Sequence, residues 1–150
     1  MEFADTKRLT NEGARKMMAT ALAGAKTKGI AVSIAIVDAG GHLILFERME
    51  GGRFHTVHSA TTKAVAAASN KRPTSPKGAV GQDLDVVTAL GLALAAGPER
   101  WTATVGGCPI LVDGECIGGI GVAGGDWQAD LELAKAGVES IGAAWDPDAR

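Results

Sequence analysis

The chain has 150 residues, 46% of them hydrophobic and 21% charged, with a formal net charge of -2. That is enough apolar material for a globular core, and it offers no basic surface for nucleic acid or an anionic membrane. No apolar run nears the roughly 20 residues of a membrane span, and the polar opening MEFADTKRLTNEG lacks a basic-then-apolar leader, so the expectation is a single domain over 1–150 in the cytoplasm.

In chain order, Leu9–Lys28 reads as a helix. Thr10 can cap it, Glu12 sits in the first turn, and Gly29 stops it. Met17, Met18, Ala21, Leu22 and Ala25 recur at helical spacing as its inner stripe. Two β-rich runs then flank Gly40-Gly41, a hairpin signal. A two-residue turn there sets Val37 opposite Ile44, Ala35 opposite Phe46 and Ser33 opposite Arg48. Both faces of that hairpin are apolar, so helices are expected on both.

His55–Asn70 reads as a second helix with a small-residue face of Ala60, Ala64 and Ala67. Lys71–Gln82 is a loop of prolines, glycines and cations, and Asp83–Ala96 a third helix, apolar nearly all round. Such a helix must be buried by the core or by another subunit. Ala103–Val122 carries a second hairpin around Asp113-Gly114. The last helix runs from about Asp126 to Ala143, with Trp127, Leu131, Ala134, Val138 and Ile141 inward, and the tail from Trp145 is expected to fray. Cys116 faces Leu111 and Cys108 faces Gly119, which puts the sulfurs about 10 Å apart at strand spacing. That is too far for a disulfide, so both are expected to be reduced packing residues. Paired hairpins make the sheet antiparallel, with helices on both faces.

Gly119, Gly121 and Gly124 spell G-x-G-x-x-G, the letters of a dinucleotide fingerprint. The context fails. The preceding strand is the return arm of a hairpin, and after Gly124 no second strand remains to receive a ribose. Two readings stay open. The glycines let helices approach the strand backbone, or Gly121, Gly124 and Gly125 offer free N–H groups to an anion at a helix start.

Four stretches then follow in order: VDAGGHLILFERMEGG (Val37–Gly52), TTKAVAAASNKRPTS (Thr61–Ser75), GGCPILVDGECIGGIGVAGG (Gly106–Gly125), and Asp130 with Ala134. Together they resemble the GlcG/HbpS family, the haem-degrading domain family related to the C-terminal domain of PduO-type proteins. The resemblance implies an α/β (α+β) fold, a profilin-like three-layer α/β/α arrangement with a five-stranded antiparallel sheet. It also implies a homo-oligomer, often an octamer or a dimer-based assembly. Some members bind or degrade haem; others belong to catabolic pathways and act on small metabolites, including aromatic ring-cleavage products. The secreted haem-binding branch carries a signal peptide, which this N-terminus does not resemble.

Several residues can carry chemistry. His55 and His58 start the second helix, either as surface and capping groups or as a general base or haem iron ligand. Lys63 matches the family's lysine before alanine; it is a surface lysine, or it binds a carboxylate or moves a proton from a pocket. Ser59 lies one turn before it. Arg48 matches the family's arginine after the second strand and is a salt-bridge partner or a clamp for a carboxylate or propionate. Asp130, one turn into the last helix, pairs with Arg48 or Lys63 or acts as acid and base. Asp38 is read as a turn residue, His42 as solvent-facing, and Arg72 as a ligand or subunit contact. No H-E-x-x-H spacing marks a zinc site.

The first functional expectation is a cofactor-free enzyme performing proton transfer, hydration or hydrolysis on a small carboxylated metabolite. In it Lys63, His58 and Asp130 move protons, while Arg48, His55, Ser59, Gly121, Gly124 and Gly125 bind the substrate. The alternative is a haem or tetrapyrrole-binding or haem-degrading protein using His55 or His58. The third reading is an accessory subunit without chemistry. None involves nucleic acid or membrane.

Overall fold

The computed structural model describes residues 1–149. Among them lie α1 (Asn11–Lys28), β1 (Ser33–Asp38), β2 (Leu43–Arg48), α2 (Thr56–Asn70), α3 (Val86–Ala96), β3 (Gly107–Val112), β4 (Glu115–Ala123) and α4 (Trp127–Ser140). Three helices begin at side-chain caps. Thr10 Oγ1 accepts from the Gly13 N–H at 3.0 Å, Asp85 Oδ1 from Thr88 at 2.7 Å and Asp126 Oδ1 from Ala129 at 2.8 Å. Each satisfies a donor with no partner inside the helix. Gly29, at φ 69, closes α1 in the left-handed region.

The strands form one antiparallel sheet in the order β2-β1-β4-β3. The expected five strands are four among the described residues. In place of the fifth, Ala144 adds a single bridge to the edge of β3, exchanging two 2.8 Å hydrogen bonds with Leu111. Pro147, which lacks an N–H, stands just beyond and cannot extend the pairing. The tail expected to fray is therefore tacked down at its start. Lys135 Nζ lies 4.1 Å from the Trp145 ring centroid, and Trp145 Nε1 donates to Glu139 at 2.9 Å.

Both hairpins form, and each carries a one-residue register slip. Ser33–Arg48 and Ala35–Phe46 pair as expected, but a bulge sets Val37 opposite Leu43 instead of Ile44. The cause is the turn itself. Asp38 N–H bonds His42 O at 2.9 Å, and Gly41, at φ 84, makes the loop one residue longer than a two-residue turn. Asp113 (φ 51) and Gly114 (φ 77) do form the two-residue turn with both central residues left-handed. Leu111 faces Cys116 as expected, but a bulge at Ile110/Leu111 places Cys108 opposite Ile120 rather than Gly119. Both cysteines are free.

The sheet is the middle of three layers. On one face α1 and α4 pack Met17, Leu133 and Val138 against Ile34, Ile36, Ile110 and Ile120. Each of these large side chains, fully withdrawn from water, contributes about 1.5–3 kcal/mol. On the other face α2 lays Ala60, Ala64 and Ala68 against Ala35 and Val37. Trp127, expected inward, is 60% exposed. The Asp126 cap sets the phase of α4 so that Asp130, Leu133, Ala134, Gly137 and Val138 are the buried positions.

Helix α3 stands apart. It buries no residue, and Val86, Val87 and Leu94 are 81%, 80% and 74% exposed. This chain's own core does not bury it.

Candidate functional site

The glycine-rich strand packs closely against α2. A Cβ on Gly121 would collide with the Ala60 carbonyl, and one on Gly119 with the Ala64 carbonyl. Gly121 is also paired on both edges, with Ala35 of β1 and Gly107 of β3. It therefore lies flush beneath the helix, and this corrects its expected role as a substrate contact.

The anion at the start of α4 is the protein's own. Gly125 N–H donates to Asp130 Oδ1 at 2.9 Å, and Lys63 Nζ donates to Asp130 Oδ2 at 3.2 Å and to Val122 O at 2.8 Å. Gly124, at φ 125, would drive a Cβ into the Ala31 carbonyl, so it too is closed in. The Lys63 and Asp130 side chains are only 7% and 4% exposed. Burial pushes the Asp130 carboxyl above its ordinary range; Lys63 and the Gly125 N–H pull it back without cancelling that rise. Lys63 and Asp130 are thus brought together as expected, but as an enclosed ion pair across the end of the sheet. Neither lines any of the cavities described below.

Arg48 is spent locally. Its Nη1 donates to Gly52 O at 2.6 Å, closing the turn after β2. His55 precedes α2 without a capping bond and stands exposed, its ring 6.1 Å and edge-on from Phe54. Arg72 ties the loop to the tail through Asp148 at 3.5 Å. Asp38 Oδ1 accepts from the Gly40 and His42 N–H groups, both at 2.9 Å. Burial opposes the charge on that carboxylate, but these donors and the His42 ring hold its pKa below the ordinary value.

The open chemistry lies on the outer face of α2. His58, Thr61, Thr62, Val65 and Ser69 recur at three- and four-residue intervals, opposite the alanines on the sheet. The chain leaving α3 crosses in front of them at Pro98–Trp101. Between the two runs a groove. One part, about 760 Å³, is lined by Gly40, His42, Thr61, Val65, Ser69, Arg100 and Trp101; the adjoining part, about 480 Å³, by His58, Ser59, Thr62, Thr102 and Thr104. Pro98, Glu99 and Trp101 border both. These volumes fall within the range of small-molecule and cofactor sites. Trp101 also backs an apolar hollow of about 340 Å³ against Leu84, Val86, Leu90 and Ala93.

Within the groove His58 Nδ1 is hydrogen-bonded to Glu99 Oε1. In a neutral imidazole, a carboxylate on Nδ1 calls for the proton there and leaves Nε2 as the acceptor. Of the anticipated residues, His58 and Ser59 line the groove; Lys63, Asp130, Arg48, His55 and the glycines do not. Glu99, Arg100 and Trp101 went unread because they fall in the short gap between the expected third helix and second hairpin. The available signal was compositional: GPERW puts a carboxylate, a cation and an indole in one connecting loop. Among the described residues, no three His, Cys, Asp or Glu side chains converge as a metal cage.

Residues 9–139 match the family described as "Haem degrading protein HbpS-like". Protein GlcG of Escherichia coli K12 is 32% identical over 115 residues, covering 77% of this chain and 81% of its own. A double mutant of HbpS from Streptomyces reticuli superposes with a TM-score of 0.75 at 31% identity, over 92% of this chain and 90% of that one. A PduOC:haem complex superposes with a TM-score of 0.79 at 23% identity, over 93% and 99%, a likeness of fold. With the family match spanning α1 to α4 and GlcG agreeing along most of its length, the chain belongs to the GlcG/HbpS family of HbpS-like proteins.

Proposed function

We propose that this protein binds haem or a closely related tetrapyrrole in the groove along α2, with His58 Nε2 as the iron ligand. The observation that carries the reading is the His58–Glu99 pair at the groove wall, in a chain of a family described as haem-degrading. The donor set fits the group. Imidazole is a common haem ligand, and ligating histidines commonly have their other nitrogen held by a carboxylate. Trp101 brings a planar apolar face, and Arg100 puts a cation at one mouth beside the His42 ring, where a propionate would be neutralised. Bound there, haem would supply a redox-active iron; this chain's residues hold, orient and partly shield it.

The cofactor-free enzyme reading has less support. Of its three proton-moving candidates, Lys63 and Asp130 are enclosed with their polar atoms used, which leaves only His58 in the groove. The expectation of no cofactor goes with it. The test is titration of the apo protein with haemin, followed in the Soret region. The wild type should give a saturable, shifted band that His58→Ala alters or abolishes. No shifted band, or one unchanged in His58→Ala, rejects the reading.

Self-association is part of the same proposal. A helix of Val, Ala and Leu with no buried residue leaves an apolar face large enough to need covering. It carries no charge to repel a copy of itself, so a second α3 across a two-fold axis is its natural cover. Sedimentation should give an assembly, up to an octamer, that Leu90→Asp reduces in size. A wild-type monomer at micromolar concentration refutes this.

A further inference from the structure

We propose that Glu99 is a positioning residue, retained in a turn position that favours glycine so that its carboxylate holds His58 with Nε2 directed to the groove. The inference rests on the reading of the groove as a ligand site. Its first observation is conformational. Gly97, Pro98, Glu99 and Arg100 form a turn closed by Arg100 N–H donating to Gly97 O at 3.3 Å. Proline at the second position and a positive φ at the third are the marks of a type II turn, whose third residue is normally glycine or asparagine. Here that residue is Glu99, at φ 66.

The other non-glycine residues at positive φ have local reasons. Lys71 ends α2, and Asp113 sits in the two-residue hairpin turn, where Asp is favoured. Glu99 has none. Glycine is abundant in this chain, with 21 copies, and is used at most of its other left-handed positions. A glutamate at such a site is strained, and its partner contact does not offset that in stability. The His58 and Glu99 side chains are 70% and 45% exposed, and exposed pairs of this kind contribute little.

The second observation is where the carboxylate goes. It meets Nδ1 of the one histidine that lines the smaller part of the groove. A carboxylate acceptor requires Nδ1 to carry the proton, which leaves the Nε2 lone pair for a ligand. It also makes the imidazole a stronger donor to a metal. Strain kept at a turn, with its side chain committed to a groove imidazole, is what a positioning role requires.

The experiment separates this inference from the haem reading. Long-range ¹H–¹⁵N correlation on the apo protein reports the His58 tautomer. The wild type should show Nδ1–H, Glu99→Gln a weakened preference, and Glu99→Gly the mixture typical of a free imidazole. Glu99→Gly should also unfold at the same urea concentration as wild type or higher, because glycine relieves the turn. Ferric haem affinity should fall about 10–100-fold in Glu99→Gly. Wild-type His58 found as Nε2–H overturns the proposal, as does Glu99→Gly with unchanged haem affinity or with a lower urea midpoint and an unchanged tautomer. Haem failing to bind while the tautomer is as expected removes the haem reading and supports Glu99 as the group that frees Nε2.

Discussion

Replacing Lys63 with methionine is the sharpest test of the interior. The substitution keeps most of the side-chain volume and removes the charge that faces Asp130 at 3.2 Å. Asp130 would remain 3% exposed with only the Gly125 N–H as partner. Removing one member of a buried pair costs about 3–5 kcal/mol, against a total stability of roughly 5–15 kcal/mol for a domain. With a urea m-value of about 2 kcal/mol/M, the midpoint should fall by roughly 1.5–2.5 M. The double variant Lys63→Met/Asp130→Leu should recover most of that loss, because an apolar pair of similar volume avoids the desolvation of both ions.

The pH dependence follows with a definite sign. Burial already raises the Asp130 carboxyl above its unfolded value of 3.8. A raised carboxyl contributes stability that is full below 3.8 and is lost as pH rises through the folded value. Losing Lys63 raises it further. The destabilisation of Lys63→Met should therefore be largest at neutral pH and shrink as pH falls through the raised folded value, where Asp130 takes up a proton. A Lys63→Met midpoint within experimental error of wild type at pH 7, or a double variant as unstable as the sum of the singles, would refute the reasoning.

Gly121→Ala should cost at least about 3 kcal/mol, since the obstacle is the Ala60 backbone and not a mobile side chain; a melting temperature unchanged by this substitution contradicts the packing described. The Cys108 thiol, pushed up to about 12 by burial, should resist Ellman's reagent in the native protein at pH 8, so that no more than one thiol per chain reacts before denaturant is added. Asp38→Ala removes the carboxylate oxygen that accepts from two backbone N–H groups at the first hairpin and should cost about 1–2 kcal/mol at pH 7. Because the folded Asp38 pKa is lowered, its contribution is present above 3.8 and lost as pH falls through the folded value. The gap between Asp38→Ala and wild type should therefore narrow in acid denaturation curves.

Much of the architecture was legible in the chain because it is decided locally. Thr10, Asp126 and Gly29 mark helix ends through bonds reaching no further than a turn. Asp113-Gly114 makes a hairpin because few other pairs tolerate two left-handed residues. Apolar residues on both faces of β1 required helices on both sides, and α1 with α4 and α2 supply them. Lys63 was readable only as a surface or a pocket lysine, because nothing local tells which way its helix face turns.

Tertiary structure decided the rest, because the forces involved act between segments far apart in sequence. Whether Gly121 faces a ligand or a helix depends on how closely α2 settles, and only the packed layers show the Ala60 carbonyl above it. That Asp130 fills the anion position depends on Lys63 arriving from another helix, 67 residues earlier in the chain. The groove joins His42, His58 and the Glu99–Trp101 loop from three separate segments. None is distinctive alone, since an exposed histidine and a loop glutamate are ordinary surface residues until folding places the carboxylate on the ring.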